Sequence, residues 1–530
     1  MWAIRGRIVA LSNQPAVAAS ESAVFTGRVW IGDDGRIVAV TPGRKAGPAG
    51  SAGAPVIDVG ASLVIPGLVD LHNHLAYNTL PLWTEPNQHT PFLHHNSWTK
   101  ADSYSASTTW PAYALITACP QELLAYVEMK AIAGGTTSIQ GSPPKNKPRD
   151  GWLVRNIDDE TFGTHNANLV YASVLTMKTA ALGDRANKMR DAGAAFIYHC
   201  SEGQRGSIVA REFTDAEQAG CLQPRFVAVH TNAVDPAWYG DWTAHPGAIA
   251  WSPFSNLWLY GQTTDVPAAR AAGVSVCLGS DWAPSGTKQI QGELKSARIT
   301  ADALGWSLTD EEIVRMVTCL PGDVLNRAWD HQVGRLQPGA QADVVVIKAK
   351  RGADPFAGIV ASTEADVDLV VIDGIPRYGT PDLTAAALPA AAGAMTATFG
   401  PQPPGMTTVQ VGDRSMRLLL TQPSNPSATW EWGEVIERLE EVRANPKREV
   451  EAAQAMYARW AGRLDDPDAP LRLALDMPTG LAPIGGLPKN LDDLKVPALQ
   501  SLTHDAEWLA SLPGRGFHGD VLNGLAAYYG

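Results

Sequence analysis

The sequence lacks the features that would place the chain in an oxidising compartment, in a membrane or on a polyanion. Its five cysteines are scattered and form no C-x-x-C pair. With no signal peptide at the start, we expect free thiols and a cytoplasmic location. No apolar run approaches the length needed to span a bilayer. The formal net charge of −12 argues against nucleic acid or an anionic membrane as the main partner.

Several common catalytic motifs are also missing. There is no G-x-x-x-x-G-K-S/T phosphate loop, and no glycine-rich turn follows the first long apolar strand. These absences argue against a P-loop enzyme and an open doubly wound sheet. No G-x-S-x-G is present either, because His199 stands where a motif around Ser201 would need its first glycine. We therefore do not expect a serine-nucleophile hydrolase.

Alternating strand and helix patterns fill the chain instead. Its 530 residues are 45% hydrophobic and 18% charged, which suits a large core and more than one domain, or one large barrel with appendages. Strand-like segments separated by helix-compatible sequence predict an α/β fold, specifically a (β/α)8 TIM barrel. These segments are the opening strand that leads to His72, and residues 136–141, 152–157, 168–175, 194–199, 226–230, 248–252 and 274–279.

Short strand-like segments also lie on both sides of the predicted barrel. We expect the two sets to join as a flanking β-sandwich built from both ends of the chain. The predicted domains are residues 1–65 (the N-terminal half of the sandwich), 66–330 (metal-dependent barrel), 331–422 (the C-terminal half of the sandwich, with an Ala/Pro/Gly-rich linker at 383–404) and 423–530 (a helical and irregular C-terminal extension).

Candidate metal ligands stand at the ends of four predicted barrel strands. His72 and His74 follow the first strand, and side chains two residues apart on a strand point to the same side. The other strand ends carry His199 with Glu202, His230, and Asp281. Because active sites of parallel barrels lie at the C-terminal ends of the strands, we expect these side chains to meet there. Imidazole and carboxylate together suit a zinc-like divalent ion.

With these residues the sequence resembles the amidohydrolase superfamily, in its deaminase, chlorohydrolase or imidazolonepropionase-like branches. The resemblance covers residues 1 to about 380. The last 150 residues or so fall outside the family pattern. The matching pieces are PGLVDLHNH at 66–74, GGTT at 134–137, HCSE at 199–202, His230, GSD at 279–281, GRLQPG at 334–339 and ADV at 342–344.

The resemblance implies a metal-dependent hydrolase that acts on a non-peptide C–N bond of a small molecule. By position it implies His72, His74, His199 and Asp281 as ligands of one divalent metal, zinc first, with iron or manganese as alternatives. His230 would be a further ligand or a hydrogen-bond donor to the attacked group. A divalent metal lowers the pKa of a bound water toward ~7. Asp281 would take that water's proton, and Glu202 would protonate the leaving nitrogen.

Two alternatives remain open from the sequence. Many amidohydrolases hold two metals bridged by a carboxylated lysine after the fourth strand, and Lys178 lies a few residues past that strand. A bridging Lys178 would favour a cyclic amide or imide as substrate, whereas a solvated lysine would leave one metal. The other alternative is a non-catalytic barrel that binds a ligand.

The substrate pocket is predicted from aromatic and basic residues near the strand ends. Tyr77, Trp83 and Trp282 could stack on a flat ring, or could pack among themselves. Arg155 ends the third strand, where it could pair with a substrate carboxylate or form a structural ion pair. We expect a small-molecule substrate and no nucleic-acid or membrane partner, and the sequence leaves open whether the protein is a homo-oligomer.

Overall fold

The structure is a computed structural model that describes most of the chain. The described residues are 1–14, 17, 24–43, 45–143, 153–158, 170–171, 176–193, 195–329, 331–348, 354–421, 430–463, 466, 468–475 and 487–530. In this portion of the chain, no helix has the length and apolar character needed to cross a membrane.

Seventeen strands are described, and we number them in chain order. They are β1 Trp2–Val9, β2 Val24–Ile31, β3 Ile37–Pro42, β4 Val56–Pro66, β5 Leu68–Asp70, β6 Thr136–Ile139, β7 Arg155–Asn156, β8 Val170–Tyr171, β9 Phe196–Cys200, β10 Phe226–His230, β11 Ala248–Trp251, β12 Ser275–Leu278, β13 Val344–Ile347, β14 Val367–Ile372, β15 Ile375–Gly379, β16 Thr407–Val411 and β17 Arg414–Leu418.

The α-helices lie mostly between the strands and after them. Their bounds are His95–Trp98, Trp110–Ala118, Pro120–Ala133, Thr179–Ala192, Arg211–Gln218, Pro253–Tyr260, Val266–Ala271, Ile290–Ala303, Asp310–Arg315, Cys319–Asn326, Pro355–Val360, Pro381–Ala390, Ala392–Phe399, Trp432–Ala444, Pro446–Arg459, Ala506–Ala510 and Ala526–Tyr529. The helix predicted from Glu122 to Ala133 is confirmed; it begins at Pro120, a residue suited to a helix N-terminus.

One nine-stranded sheet joins the two ends of the chain, as the flanking segments predict. Its order is β16-β17-β15-β14-β13-β4-β1-β2-β3. The junction is the antiparallel pairing of β13 with β4, in which Val344 lies opposite Pro66 and Val346 opposite Val64. An apolar core of alternate residues from these strands, including Ile4, Val64 and Val346, lies on one face of the sheet.

Eight short strands, β5 to β12, form two parallel sheets. The first has the order β5-β6-β7, and the second has the order β12-β11-β10-β9-β8. An isolated parallel bridge between Asn73 and Asp281 links the segment after β5 to the segment after β12. Strands followed by helices in this order are typical of a TIM-barrel-type fold.

The apolar run before His72 belongs to two sheets rather than to one strand. Residues up to Pro66 complete β4 of the nine-stranded sheet, and Leu68–Asp70 form β5 of the parallel sheet. Gly67 lies between them, where a Cβ atom would come within 2.1 Å of the Thr137 hydroxyl oxygen. A residue without a side chain is therefore needed where the chain passes from one sheet to the other.

Three sequence expectations need correction or restriction. The linker expected at 383–404 is largely helical, because its alanines favour helix and Thr380 caps the first of its two helices. The third barrel strand is only Arg155–Asn156, and residue 152 of its prediction lies outside the described residues. The fourth is described only at Val170–Tyr171, so the rest of the prediction at 168–175 also lies outside them.

The C-terminal extension packs on loops that follow three of the parallel strands. The Gln500 backbone N–H donates to Thr79 O after β5 at 3.2 Å, and the Phe517 N–H donates to Trp258 O after β11 at 2.9 Å. The Lys288 ammonium, after β12, donates to the Ser501 hydroxyl at 2.8 Å. The extension therefore contacts the same end of the parallel strands at which His72, His230 and Asp281 lie.

A buried ion pair ties the parallel strands to the nine-stranded sheet. The guanidinium of Arg155, at β7, donates to both carboxylate oxygens of Asp343 before β13. It also donates to Asp373 in the β14–β15 turn, at 2.5 Å. Burial raises the pKa of Asp343, and the Arg155 charge opposes that effect. The arginine therefore keeps a buried carboxylate ionised at the contact between the two sheets.

Removing the Arg155 charge should destabilise the fold strongly. We expect Arg155→Met to lower the free energy of unfolding by about 3–5 kcal/mol, because the substitution leaves a buried carboxylate without its partner. Arg190→Met is the matched control, since Arg190 pairs with Asp191 on the surface, and its effect should stay within about 0.5 kcal/mol. Urea denaturation followed by circular dichroism measures both, and equal small effects would contradict the role of the ion pair.

The packing of the extension on Trp258 can be tested with two glycines of similar backbone conformation. Gly516 (φ +65°) and Gly514 (φ +68°) are both left-handed, but only at Gly516 would a Cβ meet the Trp258 ring, at 2.6 Å. Gly514→Ala should cost about 1–2 kcal/mol from backbone strain alone. Gly516→Ala should cost about 1–3 kcal/mol more, because the ring must shift. Equal losses in urea denaturation would show that the contact with Trp258 contributes nothing.

Candidate functional site

The segments after β5 and β12 are joined by backbone hydrogen bonds that set the centre of the site. The Asp281 N–H donates to His72 O at 3.0 Å, and the His74 N–H donates to Asp281 O at 2.7 Å. His199 lies within β9, and His230 is the last residue of β10. The strand ends named from the sequence are therefore brought together.

The predicted ligand atoms lie within a few ångströms of one another. His74 Nε2 is 3.3 Å from His199 Nε2. Asp281 Oδ1 is 3.3 Å from His72 Nε2 and 3.7 Å from His74 Nε2. Donor atoms of His72, His199 and His230 form a second group within 4.8 Å. All of these side chains are buried.

This arrangement fits a divalent metal ion. Ligand atoms held ~2.1 Å from one ion at tetrahedral angles lie ~3.4 Å from each other, close to the distances among His74, His199 and Asp281. His199 Nδ1 is buried and makes no hydrogen bond. Two imidazole Nε2 atoms that face each other at 3.3 Å gain little as a hydrogen-bonded pair but suit two ligands of one ion. His72, His74, His199 and Asp281 would hold such an ion.

The protonation states of these groups also suit a cation. Burial lowers the pKa of His72 to about 4 and lowers that of His199 well below its usual value. Both rings are then neutral near pH 7, with lone pairs available. Burial would raise the pKa of Asp281, but its contacts with His72 and the neighbouring His230 lower that pKa by more, so Asp281 is a carboxylate. Neutral imidazoles and a carboxylate are the forms that bind metal.

Two buried side chains, those of Gln140 and Asp70, support His72 and the end of the strand that precedes it. The Gln140 amide oxygen lies 3.4 Å from His72 Nδ1, and its amide nitrogen donates to Asp158 at 3.2 Å. Asp70 accepts from the Ser280 N–H at 3.1 Å and from the Asn73 amide at 3.3 Å. Asp70 therefore ties the end of β5 to the residue before Asp281. Such supporting hydrogen bonds fix ring orientation in metal sites.

Backbone strain is concentrated at the same strand ends. Among the described residues, seven non-glycine residues have a positive φ, and four of them are Ser201, His230, Thr231 and Asp281. Each such conformation costs of order 1–3 kcal/mol and persists only where surrounding contacts impose it. Strain of this kind is typical of functional sites.

Glu202 lies beside the four histidines in a buried polar cluster. Its Oε1 accepts from the Tyr260 hydroxyl at 2.6 Å, and its Oε2 is 3.5 Å from His95 Nδ1 and 3.9 Å from His230 Nε2. Burial opposes ionisation of Glu202, but the nearby histidines outweigh it and lower its pKa. Glu202 is therefore a buried carboxylate within reach of the metal-type ligands, not a surface residue.

His95 is a cation in this cluster. Its Nε2 lies 3.3 Å from Glu212 Oε1, opposite the contact with Glu202. Burial alone would lower its pKa, but the two carboxylates raise it to about 9. Residues next to it form a short bridge, since His94 pairs with Gly203 and the Gln204 N–H donates to Leu93 O at 2.8 Å. This strip covers Glu202.

The predicted substrate residues are all buried in protein contacts. Tyr77 packs edge-on against Trp282 at 5.1 Å, and Trp83 stacks on Phe92 at 5.8 Å. The Trp282 indole N–H donates to Ser285. Arg155 is engaged by Asp343 and Asp373, which is the structural ion pair left open from the sequence. These contacts of the four residues are with residues outside the histidine cluster.

Lys178 is exposed, unlike the buried residues that are predicted to hold the metal. It precedes the helix Thr179–Ala192 as its N-cap. A bridging carboxylated lysine would have to reach the buried histidines, so the position of Lys178 favours the solvated alternative.

Sequence reasoning missed the residues that support the site. Tyr260 and Asn256 lie on the helix Pro253–Tyr260 after β11, and Gln140 follows β6. None of them belongs to a motif with fixed spacing to a histidine. Position just after a barrel strand is the one signal that could have pointed to Gln140.

Comparisons with known proteins agree with this geometry. The amidohydrolase family profile matches residues 192–376. A 5-methylthioadenosine/S-adenosylhomocysteine deaminase of Symbiobacterium thermophilum is 25% identical over 392 residues, which cover 66% of this chain and 88% of that protein. A 5′-deoxyadenosine deaminase of Methanothermobacter thermautotrophicus is 28% identical over 222 residues, 38% of this chain and 48% of that protein.

Solved structures share the fold. An adenosine deaminase from Xanthomonas campestris, crystallised with bound zinc, aligns with a TM-score of 0.55 at 18% identity and covers 74% of this chain and 97% of its own. Atrazine chlorohydrolase from Arthrobacter aurescens, complexed with zinc, aligns with a TM-score of 0.54 at 16% identity over 74% of this chain and 100% of its own. The resemblance to the amidohydrolase superfamily that the sequence suggests is thereby confirmed.

Proposed function

We propose that this chain is a metal-dependent hydrolase that cleaves a non-peptide C–N bond in a small molecule, by deaminating a ring or hydrolysing a small amide. The observation that carries the proposal is the convergence of His72, His74, His199 and Asp281 on one buried centre beside Glu202. A binding barrel without chemistry would not need a buried carboxylate beside a metal-type ligand set.

Asp281 and Glu202 would carry out different proton transfers. A divalent ion bound at the four ligands would supply Lewis acidity and lower the pKa of the attacking water. Asp281, an ionised carboxylate at the centre, would take the proton from that water. Glu202, a carboxylate that accepts from Tyr260 at 2.6 Å, would first take up a proton and would then deliver that proton to the leaving nitrogen. His230 would donate a hydrogen bond to the attacked group.

We propose one metal, zinc first and iron or manganese as alternatives. The support is the exposed position of Lys178 and the fact that the two groups of donor atoms are not separate, because both contain His72. Two metals with a carboxylated Lys178, and the cyclic amide or imide substrate that this arrangement would suit, are disfavoured by the same observations.

For the substrate we propose a nitrogen heterocycle that carries an amino or comparable leaving group. The relatives are named for 5-methylthioadenosine, S-adenosylhomocysteine, 5′-deoxyadenosine and s-triazines, and these share an electron-poor ring carbon bonded to nitrogen. Attack by water at such a carbon needs the acid and base that Glu202 and Asp281 would provide.

We also propose that the two parallel sheets close into one eight-stranded barrel within residues 66–330, with residues 1–65 and 331–422 as the sandwich and 423–530 as the extension. The bridge between Asn73 and Asp281 and the fold of the zinc-containing relatives support this. A cytoplasmic location fits the five cysteines, all buried free thiols.

Metal analysis separates the alternatives. We expect purified protein to carry about one zinc per chain, the number that one four-ligand centre holds. His199→Ala should lose most of the metal, and Lys178→Met should keep all of it, as measured by elemental mass spectrometry after dialysis. Two metals per chain that fall to one in Lys178→Met would replace the proposal with a two-metal site.

The proton role of Glu202 is tested by a substitution that removes only its charge. Glu202→Gln should lower kcat by about 100- to 10,000-fold, the usual share of general acid–base catalysis, while metal content is kept. Glu217→Gln, on an exposed position of the next helix, is the control and should leave kcat unchanged. Ammonia release from adenosine, 5′-deoxyadenosine and aminated triazines is the assay. Full activity of Glu202→Gln would refute the role.

A further inference from the structure

The imidazole of His230 has a defined partner behind it. The amide nitrogen of Asn256, which can only donate, lies 3.2 Å from His230 Nδ1. Asn256 lies on the helix Pro253–Tyr260 after β11, and both side chains are buried. A ring nitrogen that accepts a hydrogen bond carries no proton of its own.

The orientation of the Asn256 amide is fixed by two further residues. The Trp251 indole N–H donates to the Thr263 hydroxyl oxygen at 2.7 Å. Because that oxygen accepts, its single hydrogen is available for the Asn256 carbonyl oxygen, which lies 3.3 Å away. In the structure the carbonyl oxygen of Asn256 faces the Thr263 hydroxyl, and the NH2 group of Asn256 faces His230.

The same logic gives His72 the opposite tautomer. Its Nδ1 lies 3.4 Å from the carbonyl oxygen of Gln140, whose NH2 group is turned to the Asp158 carboxylate. His72 then carries its proton on Nδ1 and directs a lone pair from Nε2 towards Asp281. A neutral His230 carries its proton on Nε2, which points at Glu202 from 3.9 Å.

We propose that Asn256 is a positioning residue that holds His230 as the Nε2–H tautomer, so that this histidine donates a hydrogen bond into the site and does not ligate the metal. The proposal rests on the proposed function for its catalytic consequence, but not for the tautomer itself. The carbonyl oxygen of Gln140 thus leaves His72 with a lone pair on Nε2, whereas the NH2 group of Asn256 leaves His230 with an N–H at Nε2.

Nitrogen spectra of histidine test the proposal without turnover. In zinc-loaded protein labelled with ¹⁵N-histidine, long-range proton–nitrogen correlations distinguish the two tautomers, and the His230 signals are those lost in His230→Asn. We expect Nε2–H in the parent protein and Nδ1–H in Asn256→Asp, because an aspartate at this position can only accept. Asn232→Asp, a buried control whose side chain accepts from Gly203 instead, should keep Nε2–H.

The catalytic consequence is measured separately. Asn256→Asp should lower kcat about 100-fold, the usual loss for one donor to a developing charge, with KM and zinc content nearly unchanged. Thr263→Val, which releases the amide with little change in volume, should mix the two tautomers and lower kcat less. Nδ1–H in the parent protein, or Nε2–H retained in both variants, would overturn the proposal. An inactive parent with the expected tautomers would refute the proposed function and leave the role of Asn256 standing.

Discussion

The site depends on two backbone hydrogen bonds between the segments after β5 and β12. Asp281 donates to His72 O and accepts from the His74 N–H, so the carboxylate and both imidazoles are placed by main chain rather than by flexible side chains. Burial of Asp70 against Ser280 reinforces the same junction and raises the pKa of Asp70 to about 7. A metal centre assembled from residues about two hundred positions apart needs such a rigid connection, because ligand geometry tolerates errors of only a few tenths of an ångström.

The sequence predicted which side chains converge at the strand ends better than it predicted the side chains that support them. His72, His74, His199, His230 and Asp281 could be found because each follows or ends an apolar strand, and the pattern of strands makes those ends meet. Glu202 could be found through its spacing from His199. Tyr260, Asn256 and Gln140 could not, because their roles depend on the direction in which a buried amide or hydroxyl points, and no periodicity encodes that direction.

One error in the fold prediction, and one alternative that the sequence left open, have physical causes as well. The segment at 383–404 looked like a linker because it is rich in alanine and proline, yet alanine favours helix, and Thr380 and Pro381 begin one. Arg155 occupied a strand end that could have faced a substrate, but Asp343 and Asp373 lie close enough to neutralise it. A charge at the contact between two sheets cannot be told from a charge in a pocket until both partners are located.

The strip of Leu93, His94 and His95 affects the pKa of Glu202. Leu93 and His94 are bonded to the backbone after Glu202, and the imidazolium of His95 lies beside its carboxylate. Any movement that separates this strip from the strand end also withdraws a positive charge from Glu202, and a carboxyl group that loses a neighbouring cation takes up a proton more readily. The contact between the strip and the strand end thus holds the pKa of Glu202 down, and loss of this contact would raise that pKa.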